Sequence, residues 1–236
     1  MPGVRTVFFV AGSVTPYSAD RCPERVAAHL ASFRALVDEL TGTQARVVLA
    51  SSGGTLYDER VRPPYTERSP LAPNSTYGAA KLAMERELRT SATTGVVLRL
   101  ANVYGPGQRL GTGQGVVAHW LDAAAHGRPL VVYGDPETTR DYVYVDDVVD
   151  AMVRTHLAGP LPEVLNIGSG SPVTLSALLR TVEKTVAGPL DVRFEPARGI
   201  DRRDVWLATD LAGATLGWAA TTGLDDGVER TWHARP

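Results

Sequence analysis

The chain has 236 residues, of which 44% are hydrophobic and 21% charged, and a formal net charge of −2 at pH 7. This composition is typical of an ordinary globular protein, and the charge leaves no basic face that would imply nucleic-acid binding. No apolar run approaches the roughly 20 residues that span a bilayer. Residues 1–10 lack the features of a signal peptide, and Cys22 is the single cysteine. Together these features predict a cytoplasmic protein without disulfides or membrane segments.

The first half of the chain alternates short apolar runs with helical patterns. The runs at 4–10, 46–52 and 95–102 predict buried parallel strands, and the segments 22–40 and 74–92 predict the helices that connect them. Asn74 or Ser75 would cap the second helix. Strand–helix–strand units at this spacing indicate a parallel sheet, so the first half is predicted to be α/β.

The second half has shorter elements and more Gly and Pro. After a loop over 104–115, the predicted elements are a helix at 116–125, strands at 130–133 and 141–145, a helix ending near 157, a strand at 164–167, a helix at 174–186 and a terminal helix from near 224. Asp146 and Asp147 would open the helix that ends near 157, since acidic residues favour a helix N-terminus. We predict a sheet domain over 1–110 and a smaller cap built mainly from 111–236, with some later segments returning to the sheet.

The spacing of one pair of residues indicates a catalytic function. Tyr77 and Lys81 lie four residues apart on a predicted helix, and therefore on one face of it. A phenol with a pKa of about 10 loses its proton more readily beside an ammonium, so the pair can act as a general base. The alternative is a surface lysine beside a half-buried tyrosine.

Ordered motifs place this pair in a larger pattern. They are VFFVAGS (7–13), VVLASSGGTLYD (47–58), STYGAAKLAMERE (75–87), LRLANVYGPGQ (98–108), QGVVAHWL (114–121), VVYGD (131–135), RDYVYVDDVVDA (140–151), NIGSG (166–170) and DVWLATDLAGATLGW (204–218). In sequence and in order they resemble the extended short-chain dehydrogenases, specifically the UDP-glucose 4-epimerase-like group of NAD-dependent epimerases and dehydratases. The resemblance extends over essentially the whole chain.

The resemblance implies that Tyr77 takes the proton from a sugar hydroxyl while NAD takes the hydride from the same carbon, which gives a keto-sugar. Lys81 would lower the pKa of Tyr77 and hold the nicotinamide ribose. Further residues are implied by their positions. Those beside the cofactor would be Ala11, Gly12, Ser13 and Ser51, and those beside the substrate would be Asn102, Gln114, Val117, Tyr133, Arg140 and Asp204.

Two of these residues have an alternative explanation. Arg140 would pair with the diphosphate of the sugar nucleotide, a task that suits a planar, bidentate guanidinium. It could equally form a surface ion pair with Asp141 or Asp147. Asn102 would contact the phosphate region, or it could be a loop-forming turn residue.

The sequence departs from the family pattern near the tyrosine base. The Ser or Thr that usually stands four residues before Tyr57, and hydrogen-bonds the reacting hydroxyl, falls on Gly53. Glycine has no hydroxyl to donate. Ser52 and Thr55 are therefore the catalytic candidates for this role, with Ser51 close by.

The largest departure concerns the cofactor. The family opens with a strand, Gly-x-x-Gly-x-x-Gly and a helix that hold the cofactor pyrophosphate, and this sequence contains no such motif. The run at 4–10 corresponds to the fourth strand of the family's sheet. We therefore expect a partial Rossmann-type sheet without its N-terminal strands, and half of the dinucleotide crevice. NAD is the cofactor that the family implies, but the absent motif makes its binding by this chain doubtful.

Two functions follow from these observations. One is an N-terminally truncated, NAD-dependent nucleotide-sugar epimerase or dehydratase that oxidises and reduces C4 of a UDP- or dTDP-hexose. The other is a non-redox module that binds a nucleotide sugar or stabilises a partner. An exposed edge at 4–10 would recruit a partner strand, and the resemblance implies a homodimer through the helices at 22–40 and 74–92.

Overall fold

The computed structural model describes residues 3–10, 12, 14–198, 202 and 204–235. The strands are β1 (Thr6–Phe9), β2 (Arg46–Ser52), β3 (Gly95–Leu100), β4 (Asn102–Tyr104), β5 (Leu130–Tyr133), β6 (Thr139–Tyr144), β7 (Val164–Ile167), β8 (Pro172–Thr174) and β9 (Val192–Glu195). The helices are α1 (Pro23–Leu40), α2 (Thr76–Thr90), α3 (Val116–Ala125), α4 (Val145–Leu157), α5 (Leu175–Val186), α6 (Asp210–Leu216) and α7 (Leu224–His233). Strands and helices alternate from β1 to β3, as the sequence predicts.

The main sheet contains four parallel strands in the order β1-β2-β3-β7. Strand β2 pairs with β1 on one side and with β3 on the other, so that Val47 lies between Val7 and Gly95. Val47 and Val48 are fully buried, as expected for a parallel strand that helices cover on both faces. The predicted α/β class with a parallel sheet is therefore confirmed.

Helices cover both faces of this sheet. Successive residues of β2 point to opposite faces, and Val47 packs with Phe33 of α1 and Met84 of α2. Val48 belongs to the core on the other face, which contains residues of α4 and α6 such as Ala151. This layering holds the carboxyl ends of β2 and β3 at one edge of the sheet, where α/β proteins bind their ligands.

A second core lies among α3, α5, α7 and strands β5 and β6. Trp120 of α3 is buried in it, and its indole N–H donates to the carbonyl of Val131 in β5 at 2.9 Å. Strand β5 pairs with β9, while β4, β6 and β8 form a separate three-stranded sheet. These elements make up a cap from the second half of the sequence, whereas α4 and β7 pack in the main sheet's core. The boundary near residue 110 stays a prediction.

Four predicted elements have the observed bounds, namely β2, α3, β5 and β7. The single strand predicted over 95–102 is wrong, because β3 ends at Leu100 and β4 leaves the main sheet to pair with β6. Elements β8, β9 and α6 are not predicted, since segments of three to seven residues are too short to show a period. Among the described residues, no helix combines the length and apolar character needed to cross a membrane.

Candidate active site

A cleft of about 950 Å³ opens beyond the carboxyl ends of β2 and β3, between the main sheet and the cap. Its volume is in the range of sites that bury a small organic ligand. The sheet wall of the cleft consists of Ser51, Ser52, Gly54, Thr55 and Tyr77. The cap wall includes Asn102, Gln108, Gln114, Val117, His119, Tyr133, Arg140, Arg198 and Arg202. Most of the site residues predicted from the sequence thus line one cleft.

Tyr77 enters the sheet wall from the first turn of α2. The hydroxyl of Ser75, and not Asn74, caps this helix by accepting the Gly78 N–H at 3.1 Å. A Cβ on Gly78 would lie 2.8 Å from the Thr55 carbonyl oxygen, so glycine permits the close approach of α2 to the segment after β2. Burial raises the pKa of Tyr77 to about 12. Its hydroxyl lacks a hydrogen bond to other described residues and is available to a ligand.

Lys81 lies behind the sheet wall, one helical turn after Tyr77. Its ammonium donates to the carbonyl of Ala50 at 2.9 Å and lies 5.8 Å from the centroid of the Tyr77 ring. Burial lowers the pKa of Lys81 to about 8, and the nearby carboxylate of Glu85 opposes this effect. Lys81 therefore lies beside the Tyr77 ring, although it does not line the cleft itself.

The three hydroxyl candidates beside Tyr77 differ in their surroundings. The hydroxyl of Ser51 already donates to Glu85 Oε1 at 2.5 Å. Ser52 is half-buried and lines the cleft. The Thr55 hydroxyl also belongs to a lining residue, and it is buried without a hydrogen-bond partner among the described residues. Thr55 is thus the best placed to donate to a bound ligand.

Close packing around position 53 favours a residue without a side chain. A Cβ there would lie 2.6 Å from Leu207 Cδ1 and 3.2 Å from the carbonyl oxygen of Leu100. A serine or threonine at this position would displace Leu207, which is buried in a small cluster with Tyr57. A side chain with a hydroxyl at this position, where the family pattern has one, would therefore require the Leu207 side chain to move.

Arg140 and Asn102 are fixed in the cap wall by backbone carbonyls. Arg140 donates to the carbonyls of Thr139 at 2.8 Å and Arg202 at 2.6 Å. Asn102 donates to the carbonyl of Asp141 at 3.0 Å. The carboxylates named as alternative partners of Arg140 bind elsewhere. That of Asp141 accepts from the Ser169 hydroxyl and three backbone amides, and that of Asp147 accepts from the hydroxyl and backbone amide of Thr221 and the backbone amide of Thr222.

Some predicted site residues do not line the cleft. The carboxylate of Asp204 accepts from the backbone N–H and the hydroxyl of Thr139 at 3.0 and 2.8 Å, so it holds the start of β6. Gly12 follows β1 and is exposed. Ala11 and Ser13 lie outside the described residues.

The cap wall also holds polar residues that the sequence does not single out. Gln108 packs against Gly115 at the start of α3, whose φ of 89° and lack of a Cβ leave room for the Gln108 amide. Arg198 stacks over the ring of Tyr133 with its guanidinium carbon 4.6 Å from the ring centroid. The atoms Gln108 Oε1 and His119 Nε2 are buried without a hydrogen-bond partner among the described residues. Unpartnered buried polar atoms are costly, and their concentration on cleft residues indicates a site for a polar ligand.

Comparison with protein families gives a match over most of the chain. The model of the NAD dependent epimerase/dehydratase family matches residues 3–168. A dTDP-4-dehydro-6-deoxyglucose reductase of Escherichia coli is 31% identical in an alignment that covers 96% of this chain and 73% of that protein. A UDP-glucose 4-epimerase of Mycolicibacterium smegmatis is 35% identical over 79% of this chain and 61% of its own length. The chain thus spans less than three quarters of either relative.

Solved structures share the fold. A UDP-glucose 4-epimerase of Thermotoga maritima, solved with UDP-glucose, has a TM-score of 0.91 and 32% identity, with 98% of this chain and 76% of that chain covered. A UDP-glucose 4-epimerase of Thermus thermophilus, solved with NAD, has a TM-score of 0.84 and 27% identity, with 98% and 77% covered. Nearly every residue of this chain therefore has a counterpart in such folds.

Proposed function

Because this chain belongs to the NAD dependent epimerase/dehydratase family, we propose that it oxidises and reduces a UDP- or dTDP-hexose at C4 through a keto-sugar. The observation that carries this proposal is the position of Tyr77. Its hydroxyl is available on the sheet wall, with Lys81 behind it and the polar cap wall opposite. The names of the relatives, which act on UDP- and dTDP-sugars, support this substrate class.

The residues around Tyr77 fit the reactive end of NAD. The Thr55 hydroxyl is buried without a partner among the described residues, and the Tyr77 hydroxyl lines the cleft where a sugar hydroxyl would bind. Lys81 is the residue that would hold the nicotinamide ribose, and its ammonium donates to the carbonyl of Ala50 in this structure. Bound at this position, NAD would supply reversible hydride transfer at the sugar carbon. The sequence has no Gly-x-x-Gly-x-x-Gly, so our proposal for this chain's residues extends to the reactive end alone.

Tyr77 would carry the proton of the reaction. With a pKa raised to about 12 by burial, the phenol is protonated at neutral pH until a positive charge is brought close to it. The charged form of Lys81, whose pKa is about 8, supplies part of that charge. The Tyr77 oxygen takes the proton of the sugar hydroxyl as the carbonyl forms and returns it as the carbonyl is reduced, so the proton balance closes.

The cap wall suits the diphosphate of a nucleotide sugar. Arg140, Arg198 and Arg202 all line the cleft, and guanidinium groups form short, charge-assisted hydrogen bonds to phosphate oxygens. Asn102, Gln114 and Val117 would contact the rest of the nucleotide, while Asp204 would act indirectly through Thr139.

The experiment that tests this function is an incubation of the protein with NAD and single UDP- or dTDP-hexoses that carry deuterium at C4. Because the hydride returns to the same carbon, the expected result is a C4 epimer that retains its deuterium, with part of the label on the cofactor in samples quenched during turnover. Chromatography separates the epimers, and mass spectrometry locates the label. Calorimetric titration with NAD alone provides a second reading. Tight binding of a nucleotide sugar without NAD binding or deuterium transfer would instead support a non-redox binding module.

We also propose that the free edge of β1 pairs with a second polypeptide chain and that the protein forms a homodimer. Within the described residues β1 pairs with β2 alone, and the side chains of Phe8 and Val10 are 38% and 57% exposed. Such an edge favours strand addition. Sedimentation as a monomer, together with fast amide exchange along β1, would contradict both the strand pairing and the homodimer.

The unpaired Cys22 is consistent with a reducing, cytoplasmic compartment.

A further inference from the structure

A buried polar network lies behind the part of the sheet wall that carries Tyr77. Glu85 and Arg99 form a salt bridge whose side chains are only 6% and 5% exposed. Arg99 donates from Nη2 to Glu85 Oε2 at 2.7 Å and from Nε to Oε1 at 3.1 Å. It also donates to the hydroxyl of Tyr57 at 3.2 Å, and this hydroxyl donates to Asn166 Oδ1 at 2.5 Å. The network therefore joins α2 to β3 and β7.

Glu85 connects this network to the site. Its Oε1 accepts the hydroxyl of Ser51 at 2.5 Å, and Ser51 lines the cleft. Glu85 follows Lys81 by one helical turn, as Lys81 follows Tyr77, so the three side chains share one face of α2. The carboxylate of Glu85 is thus the negative charge that opposes the effect of burial on the pKa of Lys81.

Stability alone does not account for such a pair. Burying two opposite charges has a desolvation cost that their attraction offsets only in part, and apolar residues of similar volume are often as stabilising. In this chain the carboxylate contacts one site residue, Ser51, and acts on another, Lys81. We propose that Glu85 is a positioning residue, whose carboxylate, held by Arg99, fixes the Ser51 hydroxyl and keeps the Lys81 ammonium charged in a buried site.

Among the described residues, few other charged or titratable groups lie near Lys81. Tyr77 and Glu85 lie on the same helix, and Arg99 of β3 reaches this region through Glu85. From α1, His29 has an imidazole whose pKa is lowered by burial and, to a smaller extent, by the charge of Lys81. Of these groups, Glu85 is the one that carries a negative charge, in its salt bridge with Arg99. Its removal therefore lowers the pKa of Lys81, and the ammonium loses its proton at lower pH.

The test is an NMR titration of the lysine side chains. The sequence contains only two lysines, Lys81 and Lys184, so protein labelled with ¹³C-lysine gives two signals, which the Lys184→Arg variant assigns. We expect a Lys81 midpoint of about 8 in the unaltered protein and a midpoint lower by about one pH unit in Glu85→Gln. Near pH 7.5 the charged fraction of Lys81 would then fall by about threefold.

Glu87→Gln is the matched control. Glu87 lies on the same helix, but its carboxylate is bound to Arg34 of α1 at 2.9 Å. We expect this variant to leave the Lys81 midpoint unchanged, and we expect Glu85→Asp, which retains the charge, to restore most of the lost shift. A Lys81 midpoint that is the same in Glu85→Gln as in the unaltered protein, or an equal shift in Glu87→Gln, would overturn the proposal.

A second variant covers the case in which Glu85→Gln does not fold, since it leaves Arg99 buried without its counter-charge. Glu85→Gln/Arg99→Gln removes both charges, and we expect the Lys81 midpoint still to fall, because Glu85 is the partner that acts on Lys81. The fall should be smaller than in Glu85→Gln, since the positive charge of Arg99 is also lost. The role of Glu85 rests on the proposed function, but the titration needs neither NAD nor sugar. If Glu85→Gln lowers the Lys81 midpoint but neither the unaltered protein nor any variant shows turnover, the proposed function alone is contradicted. If the unaltered protein turns over a sugar but Glu85→Gln leaves the Lys81 midpoint unchanged, the role of Glu85 alone is contradicted.

Discussion

The sheet wall and the cap wall of the cleft are built in different ways. Behind the sheet wall, Lys81, Glu85 and Arg99 are buried and bonded to partners within the main sheet and α2. The cap wall has arginines along the cleft and a loop in which Gly113 and Gly115 have positive φ. One wall is a rigid frame around a single tyrosine, and the other is a broad polar surface.

This difference assigns separate tasks to the two walls. Proton transfer requires a reacting group held in one position with its charge environment fixed, which the buried network behind Tyr77 provides. Recognition of a nucleotide diphosphate requires several donors spread over the length of the ligand, which the cap wall provides. Substitutions in the sheet wall should therefore change kcat, and substitutions in the cap wall should change substrate affinity.

The largest effect is expected from Tyr77→Phe. Removal of the only proton carrier proposed for the site should lower kcat by about 10³-fold, because Phe keeps the ring but cannot accept the sugar proton. The dissociation constant of the nucleotide sugar, measured by calorimetry, should change little.

Tyr17→Phe is the control for Tyr77→Phe. Tyr17 is 45% exposed and lies outside the residues that line the cleft, so loss of its hydroxyl should leave kcat unchanged. A Tyr77→Phe variant with normal turnover would remove the tyrosine from the mechanism.

A smaller effect of the opposite kind is expected from Arg140→Ala in the cap wall. Loss of charge-assisted hydrogen bonds to a diphosphate, each worth about 1.5–3 kcal/mol, should weaken binding of UDP-hexose and of UDP by about 10- to 100-fold. The value of kcat at saturation should fall much less. Calorimetry with UDP provides the direct reading, since UDP has the diphosphate but no sugar.

Arg34→Ala is a suitable comparison for Arg140→Ala, because Arg34 is an exposed arginine that binds Glu87 and neither residue lines the cleft. UDP should bind to this variant as it does to the unaltered protein. Unchanged UDP affinity in Arg140→Ala would place the diphosphate elsewhere in the cleft.

The two walls also differ in how far sequence alone describes them. Tyr77, Lys81 and the Ser75 cap lie within a few residues of one another, so their relation follows from helix geometry and was open to prediction. The bond between Ser51 and Glu85 joins residues 34 apart, and the approach of Arg198 to Tyr133 depends on how β5 and β9 pair. No local pattern encodes such contacts, so the sequence does not single out Glu85, Gln108, His119 and Arg198.

The smallest effect is expected from Thr55→Val, and it distinguishes Thr55 from Ser52 as the hydroxyl that replaces the one missing at Gly53. Loss of one hydrogen bond to the reacting sugar oxygen should lower kcat by about tenfold. Because the Thr55 hydroxyl is buried without a partner among the described residues, its replacement by a methyl group of similar size should leave the melting temperature unchanged or raise it. Thr55→Ser, which keeps the hydroxyl, should retain most of the turnover. A normal kcat in Thr55→Val, together with a lowered kcat in Ser52→Ala, would assign this role to Ser52. The hydroxyl that contacts the sugar would then come from the last residue of β2 and not from the segment that follows the strand.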